Sequence, residues 1–218
     1  MSFARLILVR HGQAHCNVAA IVGGPRGCTG LTDLGRDQAA RLAARLRAEH
    51  AIEPITAAYT SPLPRTRETA DIIAEQLGLP ISVETDLREP DYAQADGRPW
   101  TSVVADFGDS PALRPHRPIA PGAETWAAFL DRARAALAAI LERHPEGTVL
   151  VIAHGETITA ATYLFLNLST ATRATAAFAA HNGGITIWEK QPLAWTRPDD
   201  GYRWTLLQHN DTGHLSET

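Results

Sequence analysis

The sequence predicts a three-layer α/β/α sandwich with a mostly parallel central sheet, folded as one domain over residues 1–218. Three observations predict it. Two apolar runs, Leu6–Val9 and Thr148–Ala153, stop abruptly at polar residues, the pattern of strands buried on both faces. Segments of helical periodicity, near 33–50, 64–77 and 121–143, alternate with the extended ones. No repeat array and no linker divides the 218 residues, a length that α/β folds commonly keep whole.

Residues 5–12, Arg-Leu-Ile-Leu-Val-Arg-His-Gly, give the first strand. In open α/β sheets the ligand crevice lies beyond the carboxyl ends of the strands. Arg10 and His11 are therefore delivered to a site mouth, where Gly12 lets the chain turn. Residues 13–33 read as a loop with a Gly-rich stretch, 23–30, that lacks the GK[ST] ending of a nucleotide-binding loop. Thr32 reads as the N-cap of a helix over 33–50 that buries Leu34, Ala39, Leu42, Ala43 and Leu46.

Residues 55–60 form a second strand, ended by Ser61-Pro62. Pro64 suits the first turn of the next helix, which Gly78 and Pro80 stop. Arg65 lies in that first turn, where orphan backbone N–H groups already attract anions. A carboxylate would serve helix stability better there, so the arginine points to anion binding.

A short strand near 81–85 leads to Asp86–Tyr92, with Glu89 as a candidate proton-transfer group and Asp91 as the alternative. From 90 to 121 regular patterning dissolves, and so long an irregular segment reads as a substrate wall or lid. Pro121–Glu124 opens an amphipathic helix to about 143, with Glu124 in its favourable first turn. The strand 148–153 again breaks into His-Gly, at His154-Gly155, and a helix over 156–167 follows. Strands at 185–190 and 202–208, joined by a polar connection, and a polar tail, 210–218, complete the chain.

Composition bounds the function. A net charge of -4 argues against a nucleic-acid surface, so an anion site must be a local cluster. No apolar run is long enough to span a bilayer, and the first strand starts too early for a signal peptide; the expectation is a cytoplasmic protein without membrane contact. Cys16 and Cys28 suggest no disulfide framework, and His11, His15 and Cys16 lack zinc spacing, so no metal is expected. His181, His209 and His214 read as structural or exposed. Neither a GxSxG elbow nor a dinucleotide fingerprint is present.

The carboxyl-end argument gathers Arg10, His11, Arg65 and His154 at one crevice. Two guanidinium forks suit a phosphate, one histidine can attack it, and the second can donate to its oxygens. The set resembles the histidine phosphatase superfamily, also called phosphoglycerate-mutase-like. The blocks that carry the resemblance are Arg10-His11-Gly12 with Asn17, Leu31–Gly35 with Gln38-Ala39, Ser61–Ala70, Leu87–Gly97, Pro121–Thr125 and Ala153–Thr157. Asn182-Gly183 and the stretch 210–215 are also similar. Gln13 and Ala14 depart from the family pattern, as do Ala93–Asp96, which alters the substrate wall.

The resemblance implies a phosphatase-branch enzyme that hydrolyses a small phosphate ester and releases inorganic phosphate, with no cofactor. His11 would form a phosphohistidine. Arg10, Arg65 and His154 would hold the phosphoryl oxygens, with Asn17 and Gly155 in the phosphate-binding set, and Glu89 would be acid and base. The alternatives are a cofactor-dependent phosphoglycerate mutase, disfavoured by the short segment between Glu89 and Pro121, and a non-catalytic phospholigand-binding module.

Overall fold

The structure is a computed structural model and describes residues 4–194 and 197–216. In chain order the elements are β1 (Arg5–Arg10), α1 (His15–Val18), α2 (Asp33–Ile52), β2 (Ile55–Thr60), α3 (Pro64–Leu77) and β3 (Ser82–Val83). They continue with α4 (Trp100–Phe107), α5 (Trp126–Arg143), β4 (Thr148–Ala153), α6 (Gly155–Phe165), β5 (Ile185–Ala194) and β6 (Arg197–Asp211). The strands form one sheet in the order β3-β2-β4-β1-β5-β6. β1, β2, β3 and β4 run parallel, and the β5–β6 hairpin adds two antiparallel strands at one edge.

The side-chain period of two sorts each strand between two cores. Ile7 and Val9 of β1 with Leu150 and Ile152 of β4 pack on Leu42 and Leu46 of α2 and Ile73 of α3. Leu6, Leu8, Val149 and Val151 face the other way, onto Leu137 and Ile140 of α5 and Ile158 of α6. Both faces are covered, so the central strands are apolar throughout, as the sequence reading requires.

Several local expectations hold to the residue. Thr32 caps α2 by accepting from Gly35 N–H at 3.0 Å. Pro64 starts α3, and Gly78 ends it in the left-handed conformation, φ 62°.

Others are corrected. Leu34 is exposed, because it falls on the solvent side of the stripe that buries Ala39, Leu42 and Leu46. The loop 13–33 contains α1, whose Asn17 accepts from Ala14 N–H at 3.0 Å. α5 starts at Trp126, capped by Thr125; Glu124 lies before the cap and pairs with Arg132 instead of the helix dipole. The hairpin strands run longer than read, with residues 191–194 and 197–201 of the polar connection drawn into the ladder. The tail is largely structured. Asp211 ends β6 and accepts from Arg45 Nη1 at 2.5 Å, while Leu215 covers Gly183; residues 217–218 lie outside the described ones.

Gly12 is needed for a reason other than turning. A Cβ there would sit 2.2 Å from the Gly35 carbonyl oxygen, because the end of β1 crosses the first turn of α2 backbone on backbone. The wall, 90–121, folds on its own small core: Tyr92, Val103 and Phe107 pack with Val22 and Ile119. No helix among the described residues is long and apolar enough to cross a membrane.

Candidate active site

Sheet register builds the site. β1 and β4 are neighbours, with Arg10 opposite Ala153, so the next residues, His11 and His154, emerge side by side. Their rings stand edge to face, 5.3 Å between centroids. β2 flanks β4 on its other side, and Ser61 N–H bonds to Ile152 O at 3.2 Å at the same edge. The chain then enters α3, whose second residue is Arg65.

Arg65 is the hub. Only 4% exposed, it donates from Nε to His11 Nε2 at 2.9 Å, from Nη1 to Gly23 O at 2.6 Å and from Nη2 to His154 Nδ1 at 3.1 Å. These bonds decide the tautomers. His11 Nδ1 lies 2.7 Å from Gly12 O, an acceptor only, so Nδ1 carries the proton and Nε2 keeps a lone pair. His154 Nδ1 accepts from Arg65, so its proton is on Nε2, donated to Ser61 Oγ at 2.7 Å.

Both imidazoles are neutral. Burial, then the Arg65 charge, then Arg10 hold His11 well below the usual histidine range. Burial and Arg65 do the same to His154, with His11 and Arg10 adding to it. The expected donation from His154 to a ligand oxygen therefore meets a constraint: both ring nitrogens are engaged within the protein.

Arg10 donates from Nη1 to Ala180 O at 2.5 Å, and its Nε is buried without a protein partner. Arg10, His11, Asn17, Arg65, Glu89 and Gly155 all line one cavity of about 290 Å³. The sequence reading names all six, with His154 directly behind them. Asp91, the alternative to Glu89, is outside this lining and caps Ala93 N–H at 2.9 Å.

Glu89 is held from two sides. Tyr92 donates its hydroxyl to Oε2 at 2.9 Å, and Oε1 lies 3.9 Å from His154 Nδ1. Its backbone is clamped by Arg132, which donates to Asp86 O at 2.7 Å, and to Arg88 O and Glu89 O at 3.3 Å. Glu124 fixes that guanidinium with two bonds, of 2.9 and 2.7 Å.

Sequence reasoning missed Tyr92, Arg132 and Glu156. An Arg132–Glu124 pair eight residues apart leaves no signal when only one partner is helical. Glu156 stands in the His-Gly-Glu-Thr block, and its position was the available signal. Burial, then the nearby Glu89 charge, push its carboxyl up to about 8.

A model of the histidine phosphatase superfamily (branch 1) matches residues 6–197. The uncharacterised phosphatase PhoE of Bacillus subtilis is 33% identical over 152 residues, 69% of this chain and 72% of that protein. The glucosyl-3-phosphoglycerate phosphatase of Mycobacterium tuberculosis is 29% identical over 229 residues, covering 99% of this chain and 98% of that one. A solved structure of the mycobacterial glucosyl-3-phosphoglycerate phosphatase with VO3 superposes with a TM-score of 0.76 at 25% identity, over 95% of this chain and 99% of that chain. With the two histidine-ended strands and the buried arginine between them, these likenesses establish that the chain belongs to the histidine phosphatase superfamily, branch 1.

Proposed function

We propose that the protein is a metal-independent phosphomonoesterase that hydrolyses a small phosphorylated metabolite through a phosphohistidine on His11. The observation that carries this reading is the state of His11. Its only proton is spent on Gly12 O, so Nε2 keeps a lone pair in the cavity wall, which accepts from Arg65 until a phosphoryl group takes that donor.

A phosphate ester displaces the bonds that Arg65 makes to the two imidazoles. Arg65, Arg10, the Asn17 amide and the backbone N–H of Gly155, in the first turn of α6, then hold the phosphoryl oxygens. His154 joins them once the arriving dianion draws a solvent proton onto Nδ1. His11 Nε2 attacks phosphorus in line, the N–P bond forms, and the ester P–O bond breaks. Glu89 gives its proton to the departing alkoxide. It then takes a proton from the water that attacks the phosphohistidine, and inorganic phosphate leaves. The guanidinium groups stabilise the redistributed charge.

Phosphate release from a panel of phosphomonoesters in EDTA, wild type beside His11→Ala, tests the proposal. Turnover that survives EDTA and is lost in the variant supports it. Turnover that needs metal, or survives without His11, refutes the mechanism. Rapid interconversion of phosphoglycerates with a bisphosphoglycerate primer and little phosphate release identifies a mutase. Binding of phosphate esters without any turnover identifies a non-catalytic module.

A further inference from the structure

Two thiols stand beside the phosphate cavity and have no part in the proposed reaction. Cys16 and Cys28 are the only cysteines of the chain, and both are buried and free. They come from different segments, α1 and the Gly-rich loop, yet their side chains hydrogen-bond each other. Cys16 lines the cavity, so a small uncharged solute that enters the site reaches the pair.

The two sulfurs are attached to very different supports. Cys28 ends a fixed loop. The N–H groups of Gly24, Arg26 and Gly27 all donate to the Asp96 carboxylate, at 2.8, 2.8 and 3.0 Å, and Cys28 N–H donates to Gly24 O at 2.9 Å. Cys16 is the one buried residue of the single-turn helix α1, and Asn17 follows it. Its Sγ also packs on Gly23, where a Cβ would sit 2.7 Å from that sulfur and 3.2 Å from Arg65 Nη1. A covalent bond brings two sulfurs closer than a hydrogen bond does. With Cys28 held, Cys16 is the sulfur that moves. It takes Asn17 with it and unpacks Gly23, whose carbonyl anchors Arg65.

The pair is also chemically unsymmetrical. The hydrogen bond with Cys16 lowers the Cys28 thiol to about 5, against burial and with help from the Arg65 guanidinium. The same bond, with burial, holds Cys16 protonated. One sulfur is a nucleophile, and its neighbour is a thiol placed to resolve the oxidised product.

We propose that Cys16 and Cys28 form an oxidative modification site, which a hydroperoxide converts to a disulfide and which thereby weakens phosphate binding reversibly. The Cys28 thiolate attacks one peroxide oxygen, the O–O bond breaks, and hydroxide leaves (alkoxide, for an alkyl hydroperoxide). Cys28 is then a sulfenic acid. The Cys16 sulfur displaces its oxygen, which leaves as water with the Cys16 proton, and the S–S bond forms. The two sulfurs lose two electrons and the peroxide gains them. The effect on turnover rests on the phosphatase reading; the effect on phosphate binding is measured without it.

Hydrogen peroxide is the probe. After treatment and removal of the oxidant, free thiols are blocked with N-ethylmaleimide in the unfolded chain. Trypsin cuts at Arg26, between the two cysteines, so mass spectrometry reads the link directly. Calorimetry on the same samples reads affinity for inorganic phosphate. The expected result is a Cys16–Cys28 linked peptide and a loss of phosphate affinity of about tenfold, restored by dithiothreitol, with phosphate release from esters falling in parallel. Cys28→Ser should keep its own untreated affinity through the same treatment, and Cys16→Ser should yield a Cys28 sulfenic acid that dimedone traps. Both cysteines still alkylated after peroxide, a linked peptide with phosphate affinity unchanged, or the same loss in Cys28→Ser would overturn the inference. A linked peptide with weakened phosphate binding, in a protein whose reduced form releases phosphate from no ester, would refute the phosphatase reading while leaving the thiol pair standing.

Discussion

Replacing Arg65 with alanine removes three donors from the centre of the site at once: those to His11 Nε2, to Gly23 O and to His154 Nδ1. Two of these are the donors that would turn to the phosphoryl oxygens. Loss of one such preorganised donor costs about 10²–10³ in rate, and here a buried positive charge goes with it. Arg65→Ala should therefore lower kcat/KM by at least about 10³-fold. Arg67, two residues on, is exposed, and its alanine variant should stay within about twofold of wild type. Arg65→Lys keeps the charge and loses the fork, so it should fall between them. The pH profile gives a second reading. Arg65 is the second cause, after burial, of the lowered pKa of His11. Without it the imidazole protonates at higher pH, and the acid limb of kcat/KM moves up. The assay is phosphate release from one phosphomonoester across pH. A loss below tenfold, equal losses for Arg65→Ala and Arg67→Ala, or an unmoved acid limb would refute the reasoning.

Arg132→Ala should lower kcat about 10–100-fold with KM little changed, because it frees the backbone that aims Glu89 while leaving the phosphate cavity intact; partial rescue by Arg132→Lys and steady-state kinetics check this. Gly12→Ala should destabilise the fold by about 3 kcal/mol in chemical denaturation, since its Cβ would sit 2.2 Å from Gly35 O and neither backbone has room to yield. Glu156 gives a pH-dependent stability term. Its carboxyl is raised from the usual 4.5 to about 8, so the native state holds a proton that the unfolded chain releases. That contribution is full below the unfolded pKa and is lost as pH rises toward 8. Glu156→Gln should gain on wild type between about pH 5 and 8, by about 1–2 kcal/mol once solvent at the cavity mouth is discounted. A difference constant with pH would contradict this.

What was legible in the sequence was whatever local chemistry fixes. Apolar runs ending in Arg-His and in His-Gly placed β1 and β4, and the crevice rule then paired His11 with His154. Pro64 and Gly78 bounded α3, and Arg65 stood out because its charge is wrong for that helix end. What was not legible depends on contacts distant in sequence. Leu34 follows the helical period yet faces solvent, because the strands and α3 leave that side of α2 uncovered. Glu124 reads as a first-turn carboxylate, but Arg132 and the N–H of Asp91 claim it before the helix starts. The role of Gly12 differs from the expected turn because a crossing of two backbones has no local sign. The tautomer of His154 follows from Ser61 and Arg65 together, partners 93 and 89 residues away.

The central claim is that His11 carries the phosphoryl group. Rapid alkaline quenching during turnover, followed by mass spectrometry of the peptide containing His11, tests it most directly. The account predicts an acid-labile, alkali-stable phosphoryl group on His11, accumulating when Glu89→Ala slows its hydrolysis and absent in His11→Ala. A phosphoryl group on another residue, or steady phosphate release with no phosphoenzyme in either the wild type or Glu89→Ala, would contradict it.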